Sequence, residues 1–373
     1  MDFNLTDEQQ MLREAVRRFA QEQYTFEARR ALLESEPGFG ADHWNSYAEL
    51  GWLALGLPED VGGLNCSFVE TALLMEEFGR VLALEPYASS AILCARIVDA
   101  SENSEHRRAL LPALAEGKVR MALAHSEADA RYNLAWVQST RAEKRGAGFV
   151  LDGLKTLAFD APSADRFIVS AQLDGGFGLF VVPCAADGIS MSSYRLIDGT
   201  RAADVEFKAA HLPASALLVE PARALDILEE AIDRTVLAQV AEALGAMESV
   251  LEITNAYIKQ RVQFGQPIGK FQALQHRMAE MFVEVQEVRS ILYRGMALLE
   301  AAPAERRRAI SAAKVVASNA AKFVGAQGIQ LHGGIGMTEE YSVGHYYKKL
   351  IAFEKRYGDT EYHVERYLQN EAR

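Results

Sequence analysis

Arg261-Val262-Gln263-Phe264-Gly265-Gln266-Pro267-Ile268-Gly269, with Phe271-Gln272 just after it, interrupts two long helical patterns. Upstream, from Ala224 to Lys259, apolar residues recur at 225, 228, 232, 236, 240, 244, 247 and 251. Steps of three and four place such residues on one face of a helix. Downstream, Phe271 to Ala302 repeats the pattern and ends before Pro303. A third helix is expected from Ala304 to Leu331, stopped by His332-Gly333-Gly334. A fourth runs from Thr338 to Arg356, and a short one follows Asp359. Four such helices suit an antiparallel bundle over residues 220–373.

Working outward, residues 119–219 change character. Short apolar runs at Met121–His125, Phe149–Leu151, Phe167–Ala171, Leu179–Val182 and Val205–Phe207 are separated by Gly and Asp-Gly turns. This reads as a small antiparallel β domain, sandwich or barrel. Residues 1–118 are helical again. Leu5, Thr6 and Gln9 form a capping signal ahead of apolar residues at 11, 12, 15, 16 and 19. Trp44, Tyr47, Leu50 and Leu53 make another stripe, and Phe68 to Leu82 and Ala88 to Ala100 continue the pattern. The fold class is α+β, mostly α: a helical domain, a middle β domain and a C-terminal bundle.

Composition narrows the function. The 373 residues carry 39 Lys+Arg against 51 Asp+Glu, a net charge of −12. That balance argues against nonspecific nucleic-acid binding. No run of about 18 apolar residues offers a membrane span. The opening MDFNLTDEQQMLREAV lacks a basic region and an apolar core, so no signal peptide is expected. Cys66, Cys94 and Cys184 are far apart, so a disulfide framework, a zinc knuckle or another metal site is not expected, and a cytoplasmic location is. The common nucleophile, zinc and P-loop motifs are absent.

Two segments carry the chemistry. The 261–269 stretch puts a cation, an amide and flexible backbone at a helix end, where arginine can hold a phosphate through two hydrogen bonds. Gln330-Leu331-His332-Gly333-Gly334-Ile335-Gly336-Met337-Thr338 ends one helix and opens the next. Exposed amides there suit an anion or a cofactor's polar edge. A helix cap and a tight turn are the plain structural readings of the two.

Arg-x-x-Phe-Gly at 261–265 followed by Gln-x-x-Gly-Gly at 330–334 resembles the acyl-CoA dehydrogenase family, and the helical–β–helical order matches it along the whole chain. Further similarity lies in MDFNLTDEQ, Leu84-Glu85-Pro86-Tyr87, Ala124-His125-Ser126-Glu127, Val240–Met247 and Leu331–Tyr346. Within the family these segments look like a small subunit. The resemblance implies FAD as cofactor and an acyl-CoA thioester as substrate. A carboxylate takes the α-proton, and the flavin takes the β-hydrogen as hydride. It implies a homo- or hetero-tetramer with FAD across a dimer interface. Arg261, Gln263, Phe264, Gln272, Gln330, Gly333 and Gly334 would hold the ADP half for the neighbouring subunit, and the β domain, with Ser126, would meet the flavin.

The sequence departs from the family in the β domain and at the base. The family's Thr-Glu-Pro-x-Ala-Gly-Ser-Asp reads Ser126-Glu127-Ala128-Asp129-Ala130-Arg131-Tyr132-Asn133. Its Trp-Ile-Ser/Thr reads Leu157-Ala158-Phe159. Its two known positions for the catalytic Glu fall on Tyr357 or Gly358, and on Thr235. Asp233 and Asp359 are the nearest acids. Their structural readings are a helix-start acid and the N-cap of the last helix. Three expectations follow. The chain is a base-poor subunit that completes the FAD site of a larger acyl-CoA dehydrogenase subunit. Alternatively it is a self-sufficient homo-oligomer using Asp233 or Asp359, or a non-enzymatic acyl-CoA-binding scaffold. The acyl group, with a dicarboxylyl or other bulky chain suggested by the resemblance, and the electron acceptor stay open.

Overall fold

The computed structural model describes residues 4–101 and 103–370; Met1 to Phe3 of the opening segment lie outside the described residues. The capping signal forms as its spacing asks. Thr6 Oγ1 accepts the Gln9 N–H at 3.2 Å, and Gln9 Oε1 accepts the Thr6 N–H at 3.1 Å. This opens α1 (Asp7–Gln23), followed by α2 (Phe26–Glu34), α3 (Ala41–Glu49), α4 (Phe68–Val81), α5 (Ala95–Ala100) and α6 (Ser104–Ala115). The stripe from Trp44 to Leu53 breaks earlier than its spacing suggests: Gly51 takes φ +75, α3 stops at Glu49, and Leu50 is left 52% exposed. Ala88–Cys94, read as ordinary helix, is a π-helical turn leading into α5.

The middle strands are β1 (Met121–Ala124), β2 (Arg141–Arg145), β3 (Gly148–Phe159), β4 (Arg166–Leu173), β5 (Gly176–Pro183), β6 (Ile189–Arg195), β7 (Arg201–Pro213) and β8 (Leu217–Val219). They form one sheet in the order β6-β7-β3-β2-β4-β5-β8, with β1 also on β4. Pairing is antiparallel except that β1, and one rung of β2, run parallel to β4. Phe167, Phe180, Phe207, Leu151 and Val205 are buried in its core. β2 and β6 were not anticipated. Their residues are mostly exposed, so no apolar alternation marks them, and their backbones pair with neighbouring strands with few buried side chains to help.

The chain then enters α7 (Pro221–Gln260), a short hairpin of β9 (Val262–Gln263) and β10 (Gln266–Pro267), α8 (Gln272–Ala297), α9 (Pro303–His332), α10 (Ser342–Lys355) and α11 (Thr360–Gln369). α8 ends five residues before the expected Ala302. Pro303 occupies the first turn of α9, where its missing N–H costs nothing, and residues 298–302 make the reversal. α10 starts four residues later than expected because Gly333–Met337 form a 3-10 turn.

The described chain divides into two compact units. One comprises residues up to Ala31, Phe68–Ala83 and Val236 onward; the other comprises Leu32–Ser67 and Leu84–Thr235. In the first unit α7 is buried on every side from Val236 to Met247, which marks it as a central helix of the bundle. Arg80 of α4 pairs with Glu248 and Glu252 of α7 at 2.7 Å, and Arg289 of α8 pairs with Glu76 at 3.0 Å. Among the described residues no helix is long and apolar enough to cross a membrane, and no group of His, Cys, Asp and Glu could hold a metal ion.

Candidate cofactor edge and catalytic corner

The Arg-x-x-Phe-Gly motif is the tip of the β9–β10 hairpin. Gln263 pairs with Gln266, so Phe264 and Gly265 are the two turn residues, with φ +53 and +77. Both positive angles are what a type I′ turn needs, but the first usually belongs to Asn, Asp or Gly. Phe264 accepts the strained backbone and stands 91% exposed, touched edge-on by Phe271 at 6.1 Å. Arg261 is exposed and forms no ion pair among the described residues; its backbone N–H donates to Tyr257 O at 2.8 Å, and its carbonyl accepts from Ile268 at 2.8 Å. Gln263 and Gln272 are exposed too, and Gln263 Nε2 donates to Val262 O at 2.8 Å.

Gln330, Gly333 and Gly334 form the second exposed edge. Gly333 ends α9 at φ +64, ψ −141, a conformation open essentially to glycine alone. A Cβ on Gly333 or on Gly334 would meet open space. The aromatic stack beneath ties this edge to the end of α7. The Tyr257 ring lies 4.4 Å from that of His332 and its hydroxyl donates to His332 O at 3.3 Å, while the Tyr341 ring joins the same cluster, 5.0 Å from His332 and 6.3 Å from Tyr257. Tyr257 stands one turn before Arg261. Chemically, this end of the helical unit offers an uncommitted cation, side-chain amides and backbone with room for a ligand against it.

The corner at 356–360 is built the opposite way. Tyr357 and Gly358 have φ +55 and +116. An ideal Cβ on Gly358 would lie 2.4 Å from Tyr362 Cδ1 and 2.6 Å from His363 Nε2. His363 Nε2 donates to Tyr357 O at 3.1 Å, and the Ser311 hydroxyl lies 3.3 Å from Nδ1. Fully buried Lys314 donates to Phe353 O at 2.5 Å and to Arg356 O at 3.0 Å, with its ammonium over the Phe353 ring. Burial pushes that ammonium far below the usual lysine value, although Glu354 pulls it up. Asp359 is the N-cap of α11: its Oδ1 accepts the Tyr362 N–H at 3.0 Å.

In the other unit, Thr235 is fully buried and its hydroxyl donates to Ala231 O at 2.8 Å. Asp233 is also fully buried. It is no helix-start acid, because α7 begins at Pro221 and places it more than three turns in.

The β domain holds Ser126 by its backbone. Its carbonyl accepts the Thr156 N–H at 2.8 Å, while its hydroxyl is half-buried and makes no hydrogen bond among the described residues. Lys155, buried beneath, donates to His125 O at 3.1 Å, Glu127 Oε1 at 2.8 Å and Ser170 Oγ at 3.0 Å. The Glu127 carboxylate also accepts N–H groups of Gln138, Ser139 and Thr140 at 2.7, 2.8 and 3.0 Å. Burial works to raise that carboxyl, yet Lys155 and the Ser139 and Gln138 amides hold it at about 2. Sequence reading missed Lys155; a lysine at an inward position of β3, beside an exposed Leu154, was the available signal. Leu157 sits at φ +52 in a bulge of β3, 40% exposed, with its N–H given to Asp204 Oδ1 at 3.0 Å. Neither it nor Phe159 brings a hydroxyl or an indole to this edge.

Three sequence models match the chain in register with these parts. The acyl-CoA dehydrogenase N-terminal, middle and C-terminal domains match residues 6–118, 122–210 and 225–370. The short-chain specific acyl-CoA dehydrogenase of Clostridium acetobutylicum is 28% identical over 353 residues, 92% of each protein. The structure of an acyl-CoA dehydrogenase from Geobacillus kaustophilus superposes with a TM-score of 0.90 at 26% identity, covering 99% of both chains. A variant of the Tcur3481-Tcur3483 steroid ACAD gives 0.88 at 28% identity, covering 98% of this chain and 97% of that one. With helical N- and C-terminal parts around a sheet, and with all three domain models matched in order, the chain belongs to the acyl-CoA dehydrogenase family of FAD-dependent oxidoreductases acting on acyl-CoA.

Proposed function

We propose that this chain is the base-poor small subunit of a heteromeric acyl-CoA dehydrogenase and completes the FAD site of a larger partner subunit. The observation that carries the reading is the closed corner at Gly358. A glutamate there has no room for its Cβ, and the other family position, Thr235, is a buried threonine whose hydroxyl is already engaged. Proton abstraction needs a base within reach of the substrate's α-carbon, and a partner with an intact glutamate would supply it.

What this chain keeps is the edge it lends. In this reading Arg261, Gln263, Phe264, Gln272, Gln330, Gly333 and Gly334 hold the ADP half of FAD. The residues fit that group: an unpaired guanidinium matches a pyrophosphate, and the two glycines leave backbone open to close approach. The flavin-ring side fits poorly, with Ser126 the one family-like hydroxyl and Leu157-Ala158-Phe159 in place of an aromatic wall. When bound, FAD supplies hydride acceptance; the chain's own part is to bind and orient it. Similarity to the small subunit of pimeloyl-CoA dehydrogenase, and a relative whose name joins two polypeptides with the word steroid, favour a tetramer with a larger subunit and a dicarboxylyl or other bulky acyl-CoA.

The flavin absorbance of the purified chain, alone and co-expressed with a candidate large subunit carrying an intact glutamate, tests this. The expected result is a colourless chain alone and a yellow, active complex. Stoichiometric FAD and turnover by the chain alone would overturn the reading and send attention to Asp233→Asn and Asp359→Asn. No flavin even with the partner would leave an acyl-CoA-binding scaffold.

A further inference from the structure

A buried histidine joins three elements of the helical unit. His345 stands in the first turn of α10. Its Nδ1 lies 3.3 Å from Arg29 Nη1 of α2, and its Nε2 lies 3.1 Å from Glu339 O in the segment ahead of α10. The Phe26 ring of α2 packs edge-on against it at 5.0 Å. These neighbours fix the ring's proton. A guanidinium only donates, so Nδ1 accepts; a carbonyl only accepts, so Nε2 carries the hydrogen. Arg29 is buried too, and its Nε donates to Leu82 O at 2.8 Å, just past the end of α4. The hydrogen bond from α2 to α10 therefore exists only while the imidazole is neutral. A second proton, on Nδ1, would set two charged donors against each other in a buried place.

The charged groups around the ring come from three elements. Arg29 of α2 opposes a second charge. The Glu339 carboxylate, 3.5 Å from Nε2, favours it, but Lys348 of α10 already pairs with that carboxylate. Arg30 of α2 lies over the Phe26 ring and acts on Glu339 as well. Burial first, joined by Arg29 and Lys348, outweighs the Glu339 carbonyl and carboxylate and holds the imidazole below the ordinary histidine value.

We infer that the Arg29–His345 pair is an acid-released latch: mild acid adds a proton at His345 Nδ1, and the imidazolium parts from Arg29, freeing α2 from α10. Glu339 O keeps its bond to the Nε2 hydrogen, so the release falls on the α2 side. The latch is independent of the cofactor reading and works with or without a ligand.

The test uses the full chain, isotopically labelled at histidine. At pH 7.5 the nitrogen resonances of His345 are expected to show Nδ1 bare and Nε2 protonated. Amide exchange at residues 26–31, corrected for its intrinsic pH dependence, is then compared at pH 7.5 and 5.5. A released imidazole takes its proton near 6.5, so at pH 5.5 the open form gains about 10-fold, and exchange should quicken by that factor. His345→Gln offers Arg29 an oxygen and Glu339 O an N–H without titrating, so its exchange should be flat over the same interval. A proton on Nδ1 at pH 7.5, or exchange at residues 26–31 that ignores pH in the unsubstituted chain, overturns the latch. So does a His345→Gln chain that keeps the full dependence, which would place the acid sensitivity elsewhere in the unit. The resonance and exchange measurements on the unsubstituted chain need no variant, so a misfolded substitution cannot rescue the idea.

Discussion

Phe264-Gly265 and Tyr357-Gly358 are the same dipeptide in chemical outline, an aromatic residue and a glycine at successive positive φ values. They lie in one helical unit, yet their surroundings are opposite. At the hairpin tip the aromatic ring stands in solvent, and a Cβ on Gly265 would meet nothing within 4 Å. At the corner, two buried groups and a half-buried ring close on the backbone: Lys314 on two carbonyls, His363 on a third, and the Tyr362 ring on the space beside Gly358. One turn stores strain and keeps its backbone open, as a ligand-facing edge would. The other spends its polar groups on the fold. Sequence outline alone does not distinguish them; the neighbours do.

Gly358→Glu should give the largest effect that this comparison can produce. The substitution adds a side chain at φ +116 and drives a Cβ into two rings. Overpacking and backbone strain each cost about 1–3 kcal/mol, so the unit should lose about 3 kcal/mol or more. Denaturant unfolding would show it, and α-proton exchange of a bound acyl-CoA in heavy water should not appear. A stable variant that exchanges the α-proton would mean the corner opens and still accommodates a base.

The division between what was readable and what was not follows the range of the interactions. The α1 cap, the three longest helices and both glycine-rich segments depend on residues within a few positions of one another, and all could be read. β2 and β6 depend on partners across the sheet and carry almost no pattern of their own. Leu154 exposed and Lys155 buried reverse the hydropathy expectation, because the partner that makes burial tolerable, Glu127, lies 28 residues away. The closed corner was visible only as a missing glutamate. That position 358 has no room for any side chain requires His363 and Tyr362 in place. Asp359 as an N-cap was legible from its spacing, whereas Asp233 was misjudged as a helix-start acid although the apolar stripe from 225 already placed it more than two turns inside α7.

Acid should reach the corner before it reaches the hairpin. Burial first, then the charges of Lys314 and Arg366, push His363 down to about 3, although Tyr357 O and Asp359 pull the other way. The folded state therefore resists a proton that the unfolded chain accepts near 6.5. Stability from this group is present above 6.5 and is lost as pH falls from there toward 3. Amide exchange at residues 357–363 should quicken over that window once the intrinsic acid slowing is removed, while that at 261–267 should not. His363→Gln should flatten the dependence; an unchanged profile in that variant would place the acid sensitivity elsewhere.

Gly265→Ala should be the mildest change. At φ +77 an alanine is strained by about 1 kcal/mol, with no clash to add. Stability of the unit should move by no more than that, since the hairpin packs little against the rest. The open-edge reading makes a sharper demand on binding. A methyl group at the tip sits where a ligand's approach is unobstructed, so ADP affinity should fall while unfolding barely changes. A loss of stability as large as that of Gly358→Glu would show that the hairpin is as tightly built as the corner, and the contrast between the two turns would collapse.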